Sequence, residues 1–376
     1  MKFLERERQT LQRYIPHLDK ALAELPLHVL ESQESPAIGL FRDSPGPGLL
    51  IPTEFGGSAA NAVDAVRVQR AIGARSPSLA VATTMHHFSM ASIVSLGEES
   101  TGFEWLLLEA VARDHRLVSS AFAEGRPGQP ILSPGMRATP VQDGYLVSGR
   151  KKPCSLSRSM DLITAGIAIE GPDDTPVMAV ALIPTESPGV HVKPFWNSWA
   201  LAGAESEEVV IDEVFVHSDL VIETTVGFGH QLDKLTLYSF LWFELLITAS
   251  YVGAVSALAE RVFAHQRVPK AEQVRLLCEV EGAALQLEGM ARAQEATEHD
   301  TEAFAHCLIG RFAIQDALAR AASSCVELLG GVEFVSSPDV ACLLASAHAL
   351  ALHPPNRTGT IDSFADYIKG DQINVT

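Results

Sequence analysis

The chain lacks the short motifs that announce most nucleotide and hydrolytic chemistries. No Gly-x-Gly-x-x-Gly follows a strand pattern, so a Rossmann nicotinamide site has no support. No glycine-rich loop ends in Gly-Lys-Ser/Thr, and no Gly-x-Ser-x-Gly elbow is present. Cysteine is scarce: Cys154, Cys278, Cys307, Cys325 and Cys342 form no Cys-x-x-Cys pair and are odd in number. Free, mostly buried thiols in a reducing cytosol fit that usage. Basic residues are also few, with 28 Lys and Arg against 46 Asp and Glu and a net charge of −18. That balance argues against nucleic acid as a general partner, because phosphate binding needs clustered cations. A small-molecule substrate, or a partner met through a local basic patch, is expected instead.

What is present describes an ordinary globular protein. Its 376 residues are 47% hydrophobic and 20% charged, enough for two or three packed units. The stretch from Met1 to Arg13 is charged throughout, so no signal peptide and a cytoplasmic location are expected. Leu241 to Ala259 is apolar enough to suggest a membrane span, yet it carries Glu244, Thr248, Ser250, Tyr251 and Ser256 and no basic flank. It reads as a buried bundle helix, and no membrane association is expected.

Three zones follow along the chain, giving an α+β class with segregated elements. Residues 1–115 form a helical N-terminal domain, 116–223 a central β domain and 224–376 a C-terminal helical bundle. In the first zone Pro52 and Gly56-Gly57 force a bend, and Asn61 and Ser76-Pro77 read as helix caps. His86-His87 resembles a metal pair, but adjacent helical residues point about 100° apart, so no metal site is expected. In the second zone Asp143-Gly144 predicts a tight hairpin, and the loop at 171–175 a second one. Glu208 to Val216 reads as a further strand, and the helical period returns from Leu235 to His348.

Four segments, in order and in the right zones, resemble the acyl-CoA dehydrogenase superfamily: IPTEFGG from Ile51, AFAEG from Ala121, VSGRKKPCSLS from Val147 and VELLGG from Val326. The resemblance implies a helical N-terminal domain, a central antiparallel β-barrel-like domain and a C-terminal four-helix bundle. It also implies FAD between the last two, in a homodimer or homotetramer. By the same resemblance Phe122, Ala123 and Glu124 grip the flavin ring and the Ser155 hydroxyl faces its N5. The alternative for Ser155 is a hydroxyl that closes a strand end. Gly330 and Gly331 match glycines that let a neighbouring subunit approach the cofactor.

The departures from the family pattern concern its chemistry. The catalytic glutamate of these dehydrogenases falls at Pro354, within His353-Pro354-Pro355-Asn356, and a proline has no group to remove an α-proton. The phosphate-gripping arginine motif has no clean equivalent between Arg261 and Lys270, and Pro153 stands where a flavin-shielding tryptophan is usual. Glu244 offers a substitute base, since some members place theirs on this helix and burial raises a carboxyl toward a useful range. Equally, Glu244 reads as a carboxylate paired with a bundle arginine.

Residues from Asp64 to Ser92 most resemble members that build aminomalonyl- and methoxymalonyl-carrier-protein extender units for polyketides. The implied reaction is FAD-dependent oxidation of a carrier-protein-tethered 2-amino- or 2-hydroxy-3-oxopropionyl thioester. A partner 3-hydroxyacyl dehydrogenase would supply the aldehyde. Such an oxidation needs only a weak base, for which Glu244, then His353, are the candidates, with His87 and Asn356 in the substrate pocket. Arg150, Lys151, Lys152 and Arg158 are candidates for docking the acyl carrier protein, or else form a solvated strand face. Three rivals stand beside this reading: a flavin monooxygenase of the same fold, an α,β-dehydrogenase using Glu244, and a relative without cofactor.

Overall fold

The N-terminal zone begins with short helices, α1 (Glu5–Tyr14), α2 (Leu18–Ala23), α3 (Leu27–Leu30) and α4 (Ala37–Arg42). Two helices follow at the predicted caps, α5 (Ala62–Gly73) and α6 (Pro77–Glu99), and then α7 (Glu104–Asp114). The Asn61 side chain accepts the Asp64 N–H at 2.8 Å, and the Ser76 hydroxyl accepts the Leu79 N–H at 3.1 Å with Pro77 next in line. This computed structural model describes residues 2–99, 104–125, 134–170, 176–227, 233–296 and 299–374.

Strands take over after Asp114: β1 (Val118–Ala121), β2 (Arg137–Val141), β3 (Gly144–Cys154), β4 (Leu162–Glu170), β5 (Pro176–Pro184), β6 (Val190–Lys193), β7 (Glu207–His217) and β8 (Val221–Gly227). Asp143 adopts φ 62° at the predicted turn, and β2 pairs antiparallel with β3 across it. The predicted loop at 171–175 lies outside the described residues, while the strands flanking it pair antiparallel from Glu170↔Pro176 to Leu162↔Pro184. The sheet runs β6-β7-β3-β2-β4-β5-β8, with β1 beside β4. It is mixed rather than purely antiparallel as expected, because β1 and β2 both pair parallel with β4. The cause for β1 is its connection: it arrives from a helix and reaches β4 through β2 and β3, not through a hairpin. Alternate residues Ile163, Ala165 and Ile167 of β4 share one core with Ala179 and Ala181 of β5 and Val209 and Ile211 of β7.

The C-terminal zone holds α8 (Lys234–Ala264), α9 (Lys270–Ala296), α10 (Thr301–Ser336), α11 (Pro338–His348) and α12 (Ile361–Tyr367). Among the described residues two helices, α6 and α8, are long and apolar enough to cross a membrane, but 94% of the apolar window of α8 is buried inside the fold. Packing of α8 on α5 depends on two glycines. A Cβ on Gly73 would sit 2.3 Å from the Ser250 carbonyl oxygen, and one on Gly253 would sit 2.4 Å from that of Arg70. That close approach sets α6 and α8 side by side as one wall of the site described next.

Candidate functional site

Where the three zones meet lies a cavity of about 390 Å³, a size typical of small-molecule sites. From α6 come Met85, Phe88, Ser89 and Ser92, which recur at steps of three and four and so share one helix face. The chain leaving β1 gives Phe122, Ala123 and Gly125, and the end of β3 gives Lys152, Pro153 and Ser155. In turn, α8 supplies Ser239, Phe240, Phe243 and Tyr251, and the segment after α11 supplies Leu352, His353 and Pro354. The structure therefore brings Phe122, Ala123, Ser155 and His353 together, although they are scattered in sequence.

Behind this wall lie two closed ion pairs. The Lys151 ammonium, fully buried, lies 2.7 Å from Glu124 Oε1, which also accepts the Gly135 N–H at 2.7 Å and the Met136 N–H at 3.2 Å. Glu124 is thus a brace under the Phe122–Gly125 segment and does not line the cavity. The second pair joins Arg311 Nη1 to both Glu244 oxygens at 3.1 and 2.9 Å, with neither side chain exposed. Of the two readings open for Glu244, the geometry gives the paired one. Burial outweighs the opposing pull of the Arg311 guanidinium, and the Glu244 carboxyl is raised to about 7. Arg311 Nη2 donates to the carbonyls of Leu350 at 2.9 Å and His353 at 2.7 Å, and Nη1 to that of Pro355 at 3.0 Å. Glu244 lies outside the cavity lining, where it fixes the arginine that shapes the 350–355 segment.

His353 Nε2 and Tyr251 Oη are 2.7 Å apart in the cavity wall. Burial and the nearby Arg311 push the His353 imidazole down to about 3, and burial raises the Tyr251 phenol well above its ordinary value. Both are therefore neutral at neutral pH. On the β side, Ser155 Oγ lies 2.9 Å from Ser206 Oγ, and its carbonyl accepts the Ser119 hydroxyl at 2.6 Å. Ser155 closes the strand end and also lines the cavity.

Other expected site residues lie elsewhere. His87 precedes Phe88 by one residue and so points about 100° away from the cavity face, against the ring of Phe41 at 5.7 Å. His86 accepts the Val118 N–H at Nδ1, 3.1 Å, and donates from Nε2 to the Pro47 carbonyl at 2.8 Å. Asn356 also lies outside the lining: its side chain accepts the Gly359 N–H at 2.8 Å and closes a turn. Among the docking candidates, strand alternation turns Lys151 inward, which removes it from any surface role. Arg150 and Lys152 both face Glu208, at 3.5 and 3.6 Å, and Arg158 lies 4.0 Å from Glu205. Gly330 interrupts α10 with φ 81° at the protein surface, and no atom lies within 4 Å of a Cβ built on it or on Gly331. Sequence reading noted Tyr251 only as a polar break in the apolar run, and expected a bundle arginine beside Glu244 without singling out Arg311. It missed the α6 cavity face, whose only signal was serine recurring every third or fourth position.

The cavity suits a flat aromatic cofactor. Its walls are mostly apolar, the backbone of Phe122–Gly125 reaches one edge, and the hydroxyls of Ser155, Thr164 and Ser206 offer hydrogen bonds there. The fold has close counterparts. FMN-bound TdsC from Paenibacillus sp. A11-2 superposes with a TM-score of 0.84 at 17% identity, covering 99% of both chains. A nitrososynthase from Micromonospora carbonacea var. africana gives 0.83 at 16%, covering 99% of this chain and 98% of that one. No family model matches. Fold, cavity and sequence likeness nevertheless agree: the chain belongs to the acyl-CoA dehydrogenase-like family and is a flavin-dependent oxidoreductase. Across 380 residues, 100% of both chains, it is 44% identical to the isobutylamine N-hydroxylase of Streptomyces viridifaciens.

Proposed function

We propose that this enzyme is a flavin-dependent monooxygenase that places one oxygen atom on the nitrogen of a small aliphatic primary amine. One observation carries the reading: Pro354 occupies the cavity wall, and no Asp or Glu is among the described lining residues. Removing a proton from carbon next to a thioester needs a placed base, whereas an amine nitrogen brings its own lone pair to the oxygen. The 44% identity to an amine N-hydroxylase supports the same choice. The expected oxidation of a carrier-protein-bound thioester has no such support. Its docking surface loses Lys151 to the interior and meets Glu208 beside Arg150 and Lys152.

The balance is R–NH2 plus dioxygen, two electrons and two protons, giving R–NHOH and water. Bound flavin supplies the redox chemistry, passing electrons from a reductant to dioxygen. The chain's own part is to hold and shield. The Phe122–Gly125 backbone, Ser155 and Ser206 would bind the polar edge of the ring, which FAD and FMN share. Phe88, Phe240 and Phe243 exclude water, and Tyr251 with His353 give the substrate nitrogen a neutral hydrogen-bonding partner. The expectation of a homo-oligomer carries over as part of the proposal, supported by Val332 and Val335 beyond the Gly330 kink, 79% and 82% exposed.

The test supplies flavin, a flavin-reducing system and isobutylamine under isotopically labelled dioxygen. The product should be the hydroxylamine carrying one labelled atom. Label arriving only from water, or an oxidised product with no new N–O bond, would sink the assignment.

A further inference from the structure

The described residues lining the cavity include a lysine and a histidine but no acid, although an alkylamine is a cation at neutral pH. We propose that the cavity admits its amine only as the uncharged base, leaving the ammonium proton in bulk water, and that it rejects ligands with a permanent or second charge. This inference rests on the amine reading above.

Among the described residues, the ionisable groups around the cavity point the same way. Those that line it are Lys152, Tyr251 and His353. Tyr251 and His353 are neutral and hydrogen-bonded to each other at 2.7 Å. Lys152 would repel an ammonium. On adjoining elements Glu244 is engaged by Arg311, Glu124 by Lys151 and Glu208 by Arg150 and Lys152, while Glu223 of β8 alternates with the lining Ile222 and Thr224 and is exposed on the other face. Asp233 on the α8 side accepts the Thr236 N–H, and Glu207 accepts the N–H groups of Phe195 and Trp196. An ammonium entering this space would exchange its hydration for aromatic rings and hydroxyls, with no counter-charge. A cation in that position sheds its proton rather than remain charged. Serine hydroxyls do not replace a carboxylate here. Ser89, Ser92 and Ser239 donate to backbone carbonyls one turn back, at 2.9, 2.8 and 2.7 Å. The uncharged form is also the reactive one, because protonation occupies the lone pair that must meet oxygen.

Calorimetry on the flavin-loaded protein tests this without turnover. Isobutylamine should bind with release of one proton, read by repeating the titration in buffers of different ionisation enthalpy. Its apparent affinity should rise about tenfold per pH unit between pH 7 and 9, following the free-base fraction. The isosteric alcohol, 2-methylpropan-1-ol, should bind with no proton release and no pH slope, and 1,4-diaminobutane should not compete. Binding of the amine without proton release, a flat pH profile, or tight binding of the diamine would overturn the proposal. So would failure of a two- to six-carbon amine series to bind at pH 9. Proton-linked binding with no hydroxylamine formed on turnover would instead retire the N-hydroxylation reading and leave the charge rule standing.

Discussion

Within the described cavity wall, polarity comes from serine and threonine hydroxyls, Lys152 and one Tyr–His pair; one residue deeper lie the buried ion pairs Glu244–Arg311 and Glu124–Lys151. The two layers use polar groups for different ends. The deep pairs position backbone: Arg311 holds three carbonyls of the 350–355 segment, and Glu124 holds two amides beside the Phe122–Gly125 segment. The described wall holds one cation, Lys152, 3.6 Å from Glu208, and no acid, so a cationic ligand meets no counter-charge in it. Charge placed behind a site shapes it, whereas a carboxylate placed in it would select cations.

Breaking the deep layer should have the largest effect. Arg311→Met leaves Glu244 buried and unpaired and should cost about 3–5 kcal/mol in chemical denaturation. Adding Glu244→Leu should restore only part of this, because the three carbonyls still lack their donor. Full recovery would show that the pair alone mattered. Next comes the helix crossing that sets the wall: Gly253→Ala should destabilise by about 1–3 kcal/mol, since its Cβ would strike the Arg70 carbonyl. An unchanged melting curve would mean that α5 and α8 can separate freely.

A change in the wall should act on ligands more than on folding. Tyr251→Phe should lose only about 0.5–1.5 kcal/mol of stability for one hydrogen bond, while weakening amine binding more than binding of the isosteric alkane. Equal weakening of both would reduce Tyr251 to a packing role. The last expectation vanishes at neutral pH. Burial alone would raise Glu288, but hydrogen bonds and charge from Arg67 and Arg6 hold it below its ordinary value. Glu7 is likewise held down, against burial, by Arg70 and Arg6. Depressed carboxyls contribute stability that is complete above the ordinary carboxylate range and lost as pH falls through their folded values. Urea midpoints should therefore decline on acidification below about pH 4, and less so in Glu288→Gln.

Much of the frame was legible because it rests on local rules. Asn61, Ser76-Pro77 and Asp143-Gly144 act within three residues of themselves, and each caps or turns where its chemistry requires. Arg150, Lys151 and Lys152 read together as a docking or solvated face, and the pleat of the strand turns Lys151 inward instead. The site was less legible. Tyr251 and His353 are 102 residues apart, and Glu244 and Arg311 are 67 apart. Nothing local marks either as a partner. His87 and Asn356 sit beside cavity residues in sequence yet face elsewhere, because helix and turn geometry sends neighbours in different directions.

By itself the sequence determined the order of helices and strands and the caps and hairpins that bound them. Those follow from periodicity and turn chemistry, whereas the reading of Pro354 at the dehydrogenase glutamate's place came through the family resemblance. Only the tertiary structure decided that Glu244 is a brace and not a free base, that Glu124 and Lys151 lie behind the site, and that no acid is among the described residues of the wall. Those outcomes depend on which groups distant segments bring within 3 Å, and on burial that forces a charge to be paired or shed.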